Sequence, residues 1–353
     1  MGEILGMGST HWPVLMQPDE AKNWPFLRTL KNNPDIPEEL QIPTNWPEDV
    51  RVEFGEDEGV SARKVHRDRL VRAFRVLRAE LDSFKPDFVL MFGDDQYENF
   101  TEDIIPPFCV LAYDDLTSYP YKRRNVGGDK NVWGEPVDHA VNMPSRPDVA
   151  RWLARRYLEE GMDMSYAYKP LHWEGLGHAF VNIPLYLDYD RKGFDYPIVP
   201  VQVNCYGSKV IRNHGGGPTL ESRGREFDPP SPSPRRCFEL GRVTARILQD
   251  SPYRVAMYAS GGWSHGFLVD KNYCLWPDVE ADRLRADQIT EGRETEWQDI
   301  PTSEIEETGQ QEFLNWVCVA GAMHELGQKG EVVDYIETAG VFNSGKCLAV
   351  YRP

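Results

Sequence analysis

The chain has 353 residues, enough to bury a full core, with 41% hydrophobic and 27% charged residues, which is ordinary for a globular protein. It carries 39 basic against 56 acidic residues, a formal charge of −17. Such a surface repels phosphate backbones and anionic lipid, so nucleic acid and membrane surfaces are excluded as expected partners.

The N-terminal MGEILGMGST has no basic stretch ahead of an apolar core, and Gly6 spoils a myristoylation motif. No apolar run nears the ~20 residues that span a bilayer, so a cytoplasmic protein is expected. The six cysteines (Cys109, Cys205, Cys237, Cys274, Cys318 and Cys347) form no CxxC pair and read as small buried hydrophobes.

In chain order, Gly2 to Gly8 reads as a strand that delivers Ser9, Thr10, His11 and Trp12 at its end. Residues 17–58 are rich in proline, asparagine and acid, too punctuated for regular structure, yet they hold Trp24, Phe26 and Trp46. This insertion reads as a packed lid or oligomer arm, and a homo-oligomer is expected from its aromatic and proline-rich surface. Val65, Leu70, Ala73, Phe74, Leu77 and Leu81 recur at helical spacing over 61–83, and Lys85-Pro86 ends the helix.

Phe88 to Phe92 is a buried strand running into Gly93, Asp94, Asp95 and Gln96. Further strands are predicted at 108–113, 164–168, 198–204, 254–260 and 348–351. Helices are predicted at 146–160, 235–250 and 308–327, with a shorter one near 332–338. This alternation predicts an α/β fold: a central, mostly parallel or mixed sheet with helices on both faces, as one domain over 1–353.

In such sheets ligands bind where strands give way to loops, and the candidate chemical residues cluster there. His11, in GSTHWP, follows a strand, with small residues before it allowing close approach. In GDDQYENF, Asp94, Asp95, Gln96 and Glu98 offer oxygen donors to a hard cation or iron, or form a solvated acidic loop. His178, in LHWEGLGHAFVNIPL, suits acid–base work, as does His172 in the same stretch.

His265 follows a double glycine in ASGGWSHGF, whereas Ser264 does not fit a nucleophile loop. Glu280, beside Asp278 and Asp282, reads as an acidic helix start. The run NHGGGP around His214 reads as a flexible loop. Trp12, Trp173, Trp263 and Trp276 stand beside these motifs, as core or as walls for a flat aromatic substrate.

The order of these motifs resembles the class III extradiol ring-cleaving dioxygenases, the superfamily of the protocatechuate 4,5-dioxygenase catalytic subunit. The shared features are the opening G-x-x-x-T-H-W-P, the G-D-x-x-x-x-x-F segment at 93–100, GHAFVNIPL, VQVNCY, RRCFELGR, ASGGWSHGF, the acidic segment around Glu280 and QQEFLNWVCVAGAM. The resemblance implies non-haem Fe(II) held by two histidines and one carboxylate, with a catechol-like diol and O2 as reactants.

It maps the first ligand onto His11 and the carboxylate onto Glu280. It maps the acid–base histidine onto His178, and a histidine beside the site onto His265. From their place beside these motifs, Trp12, Asp95, Trp173 and Trp263 are the expected pocket residues. The second histidine ligand falls on Gln96, a weaker donor for iron.

Four outcomes follow: Gln96 serves as ligand, Asp94 or Asp95 supplies a second carboxylate, His66 or His172 enters from elsewhere, or the metal has been lost. A hydrolase or lyase on the same scaffold is the alternative that Gln96 raises. A non-catalytic partner subunit is a third. Lys122, Arg123, Arg124 and Lys209 are candidates to pair with a substrate carboxylate.

Overall fold

The computed structural model describes residues 2–20, 25–33, 35–122, 131–219 and 222–353. Among them one sheet is built from β1 (Glu3–Ser9), β2 (Phe88–Asp94), β3 (Phe108–Leu111), β4 (Ser165–Ala167), β5 (Ile198–Val203), β6 (Arg254–Ser260), β7 (Gly330–Ile336) and β8 (Lys346–Tyr351). Their order is β4-β3-β5-β2-β6-β1-β8-β7.

The central strands β5, β2, β6 and β1 run parallel, and antiparallel pairings of β3 with β5, β1 with β8 and β8 with β7 extend both flanks. Side chains alternate between two cores, as strand geometry requires. Phe88, Leu90 and Phe92 enter one core, and Val89 and Met91 the other. A parallel strand covered on both faces must be apolar throughout, which is why FVLMF reads as a continuous run.

The helices are α1 (Pro25–Asn32), α2 (Glu48–Phe54), α3 (Val60–Phe84), α4 (Pro147–Glu159), α5 (His178–Leu187), α6 (Pro234–Gln249), α7 (Val279–Glu291), α8 (Thr302–Glu307) and α9 (Phe313–Leu326). Residues of α4, α6 and α9 fill one core, while those of α3 and α5 fill the other. None of the described helices is long and apolar enough to cross a membrane. All six cysteines are buried free thiols.

Two expectations are corrected. The segment near 332–338 is not a helix: Gly330–Ile336 pairs with β8 as an edge strand, its backbone satisfied by the sheet. The 17–58 insertion is not irregular: it holds α1, α2 and 3-10 turns. Phe26, Ile36, Trp46 and Val50 pack with Leu275 into a small core of their own. Trp24, Arg123 and Arg124 lie outside the described residues.

The α6–α9 crossing depends on two glycines. A Cβ on Gly241 would stand 1.8 Å from the Cys318 carbonyl oxygen, and one on Gly321 would stand 2.1 Å from that of Phe238. Backbone cannot yield as a flexible side chain can, so Gly321→Ala is expected to cost about 3 kcal/mol or more in urea unfolding.

Lys346 is buried, its ammonium 4.2 Å from the centre of the Trp12 ring and 2.5 Å from the Ser344 carbonyl oxygen that it donates to. Burial pushes its pKa down to about 7 against the pull of Glu53 and Asp282. An unfolded lysine titrates near ~10.4, so above about 7 the unfolded chain holds a proton that the folded chain lacks. Stability therefore rises with pH across that window, by at most about 1.4 kcal/mol per unit, and the contribution is lost as pH falls through it. Unfolding of the Lys346→Met variant between neutral and alkaline pH should show that rise flattened.

Candidate metal centre and its histidines

Three parallel strands stop at the same level: Ser9 is in register with Ser260, and Phe92 with Ala259. Their ends deliver His11 just after β1, Asp94 as the last residue of β2 and Ser260 as the last of β6. Glu312 comes from the opposite direction, as the residue before α9. His11, Asp94 and Glu312 are all buried, and one ligand atom of each lies within 4.8 Å of the others.

The hydrogen-bond pattern fixes the chemistry of His11. Ser260 Oγ gives its only proton to the Ala179 carbonyl at 2.5 Å, so toward His11 Nδ1, at 3.1 Å, it accepts. His11 therefore carries its proton on Nδ1, and Nε2 faces Glu312 Oε2 at 3.3 Å. Asn182 and Tyr186 of α5 hold the loop by donating to the His11 and Trp12 carbonyls at 2.8 and 2.7 Å.

Glu312 accepts from Tyr206 at 2.7 Å and from the Gly262 backbone N–H at 2.7 Å, and His265 Nε2 lies 3.4 Å from its other side. Burial opposes its ionisation, but His11 and His265, with the hydrogen bonds from His11 and Tyr206, hold the carboxyl below its usual range. Burial likewise works against a charged His11, yet Glu312, with smaller help from Asp94 and Glu98, lifts it to about 9.

Burial raises the Asp94 carboxyl well above its usual value, and the neighbouring Glu312 and Glu98 add to the effect. Asn315 donates to Asp94 Oδ1 at 3.3 Å, while Oδ2 is buried with no hydrogen-bond partner. The buried Asp94 oxygen without a hydrogen-bond partner, His11 Nε2, whose lone pair is freed when its proton leaves, and the Glu312 carboxylate all face one point, and a divalent cation would satisfy all three.

Two further histidines flank the cluster. The His178 ring meets His11 edge-on, with centroids 4.7 Å apart. Its Nδ1 is 3.1 Å from Glu98. His265 Nδ1 donates to the Trp263 carbonyl at 2.7 Å, leaving Nε2 as an acceptor toward the site. Burial first, then His11 and Lys346, lower its pKa, so it stands neutral. A narrow cleft lined by Tyr119, Trp173, Leu176, Glu98 and His178 opens beside this group.

Several expected site residues lie elsewhere. Glu280 is exposed in the first turn of α7, in a groove of about 340 Å³ with Trp276, Val50 and Asp278, so the carboxylate beside His11 is Glu312 instead. Gln96 is half-buried and donates to the Gly215 carbonyl of the NHGGGP run, so it is taken up by loop packing. Of the side chains named for that position, Asp94 is the one with a ligand atom within 4.8 Å of those of His11 and Glu312.

His172 is exposed and pairs with Asp103 at 3.0 Å, and His66 is half-buried against Phe342 with Glu53 3.7 Å away. Of the four expected pocket residues, Trp173 lines the cleft. Trp12 packs on Phe342 and Lys346, and Trp263 on Phe313 and Trp316. Asp95 is buried and accepts the backbone N–H groups of Glu98, Asn99 and Phe100, shaping the turn instead of a pocket wall. Lys122 pairs with Glu174, and Lys209 with Asp270.

Comparison with known proteins places residues 228–346 in the family described as the catalytic LigB subunit of aromatic ring-opening dioxygenase. That stretch includes Ser260, His265 and Glu312. A Pseudomonas putida 2,3-dihydroxyphenylpropionate/2,3-dihydroxicinnamic acid 1,2-dioxygenase is 27% identical over 199 residues, covering 56% of this chain and 49% of that protein. The enzyme of that name from Paraburkholderia phymatum is 30% identical over 216 residues, covering 61% and 54% respectively. The chain spans about half the length of the curated relatives it matches. A crystal structure of an uncharacterized Escherichia coli K12 protein aligns with a TM-score of 0.47 at 14% identity, covering 80% of this chain and 92% of that one.

Because Ser260 sets the tautomer of His11, Ser260→Ala is expected to weaken Co(II) binding by about 10–100-fold, measured by chelator competition, with the far-UV circular dichroism unchanged.

Proposed function

We propose that this chain, a member of the class III extradiol dioxygenase superfamily, opens the ring of a catechol-like aromatic diol with O2, using Fe(II) held by His11, Asp94 and Glu312. The observation that carries the reading is the convergence of these three buried side chains, one with an unpartnered carboxylate oxygen, between two histidines of fixed orientation. One imidazole and two carboxylates are suitable donors for a first-row divalent ion. Asp94 takes the place that the family pattern gives to a second histidine.

When bound, the metal supplies Lewis acidity and a template for the diol and oxygen. The protein's own part is proton movement and orientation. His178 Nε2 takes a proton from a diol hydroxyl and later returns it during ring opening. His265, neutral and with its lone pair toward the site, accepts a hydrogen bond from the substrate. Trp173, Tyr119 and Leu176 line the cleft beside His178, which at about 10 Å³ has room for one water and would have to widen to take the ring. Both atoms of O2 enter the product, so no outside reductant is consumed.

Iron loaded anaerobically and then mixed with air and catechols, gallates or aminophenols should consume one O2 per substrate and give a coloured ring-opened product. His178→Ala should lower kcat by about 10²–10⁴-fold. Iron-loaded protein that is inert across the whole panel would refute the reading.

A further inference from the structure

Glu98 sits in a part of the acidic GDDQYENF loop that the metal cluster does not use. Asp95 builds the turn that presents it, accepting from the Glu98, Asn99 and Phe100 backbone N–H groups at 2.8 to 3.2 Å, and Tyr97 adopts a left-handed φ of 59° within it. Asn99 ties the turn to the 171–175 loop: its side chain donates to the Gly175 carbonyl and accepts from the Leu171 N–H.

The Glu98 carboxylate then lies, buried, at the first turn of α5. Both of its oxygens accept from the His178 backbone N–H, at 3.1 and 3.3 Å, and Oε2 is also 3.1 Å from His178 Nδ1. A carboxylate there is favoured by the helix dipole as well as by the hydrogen bonds. The approach is so close that a Cβ on Gly177 would stand 2.7 Å from Oε2, although the Gly177 backbone (φ −60°, ψ 158°) suits any residue. Glycine is needed at 177 for space alone.

We infer that Glu98 is the positioning residue for His178, holding the ring in its Nδ1–H tautomer so that Nε2 is the atom presented to the cleft. The inference rests on the reading of His178 as the acid–base group. In the step concerned, the O–H bond of the diol breaks, its proton forms a bond to Nε2, and the electron pair stays on the substrate oxygen. The imidazolium so formed lies against the Glu98 carboxylate, and the same proton leaves Nε2 later. A ring in the other tautomer has its lone pair turned toward Glu98 and cannot take the proton.

The test uses the full chain with 15N-labelled histidine, metal-free and at one fixed pH, with the His178 signals assigned by loss in His178→Gln. Wild type should show the Nδ1–H tautomer, and Glu98→Leu should shift it toward Nε2–H. Glu98→Gln, which keeps an acceptor oxygen, should retain most of the wild-type pattern. Gly177→Ala should reproduce the Leu effect by pushing Glu98 aside, and it serves in its place if the Leu variant does not fold.

In iron-loaded protein, kcat should fall about a hundredfold in Glu98→Leu, with KM changed less than about threefold and with partial rescue in Glu98→Gln. An unchanged tautomer in both Glu98→Leu and Gly177→Ala would overturn the inference, as would a kcat within about twofold of wild type. Wild-type protein that fails to cleave any diol would remove the ring-opening reading, while the tautomer measurement still decides what Glu98 does.

Discussion

Keeping an ionised carboxylate inside a protein costs several kcal/mol unless charge and hydrogen bonds answer it on every side. Glu312 is answered by Tyr206 just beyond β5, by the Gly262 N–H just beyond β6 and by His11 just beyond β1. Each partner comes from a different strand end, so the arrangement holds only while those strands stop at a common level. The register of β1, β6 and β2 is thus a condition of the site as much as of the core. A slip of one residue would also turn every core side chain to the wrong face.

The same arrangement explains why few atoms here are free to choose their role. Ser260 has one proton and spends it on Ala179, so His11 has one tautomer open to it. Trp263 offers a carbonyl, which settles His265. Helix α5 both begins with His178 and holds the His11 loop through Asn182 and Tyr186, so the two rings are set by one rigid element. Preorganisation of this kind lets a site act without rearranging at the moment of reaction.

Much of the fold was legible because buried parallel strands leave continuous apolar runs and α3 leaves a clear helical period. His11, His178 and His265 stood out as polar residues at the ends of such segments. Glu312 did not, since it stands beside two glutamines at the start of a helix that is apolar on every face, and nothing local separates a ligand from a cap. Glu280, among other acids, was the more conspicuous carboxylate and sits in solvent.

Helix α5 was hidden for a related reason: it is buried on all sides, has no polar face to set a period, and contains Pro184. Strand β7 was mistaken for a helix because an edge strand of mixed exposure does not alternate cleanly. The tryptophans misled in the opposite direction. Their size makes them good walls and equally good core, and only Trp173 among those expected to form the pocket faces the cleft.

The pairing of β1 has a consequence for how the chain reaches its native state. The first strand pairs with β6 on one side and β8 on the other, and His11 finds Ser260 across 249 residues of sequence. During synthesis, β1 leaves the ribosome long before either neighbour exists, and contacts of such long range form slowly. The cluster of His11, Asp94 and Glu312 therefore cannot assemble until residues 260 and 312 have been made. Until then the nascent chain exposes an apolar edge that aggregation or a chaperone can claim.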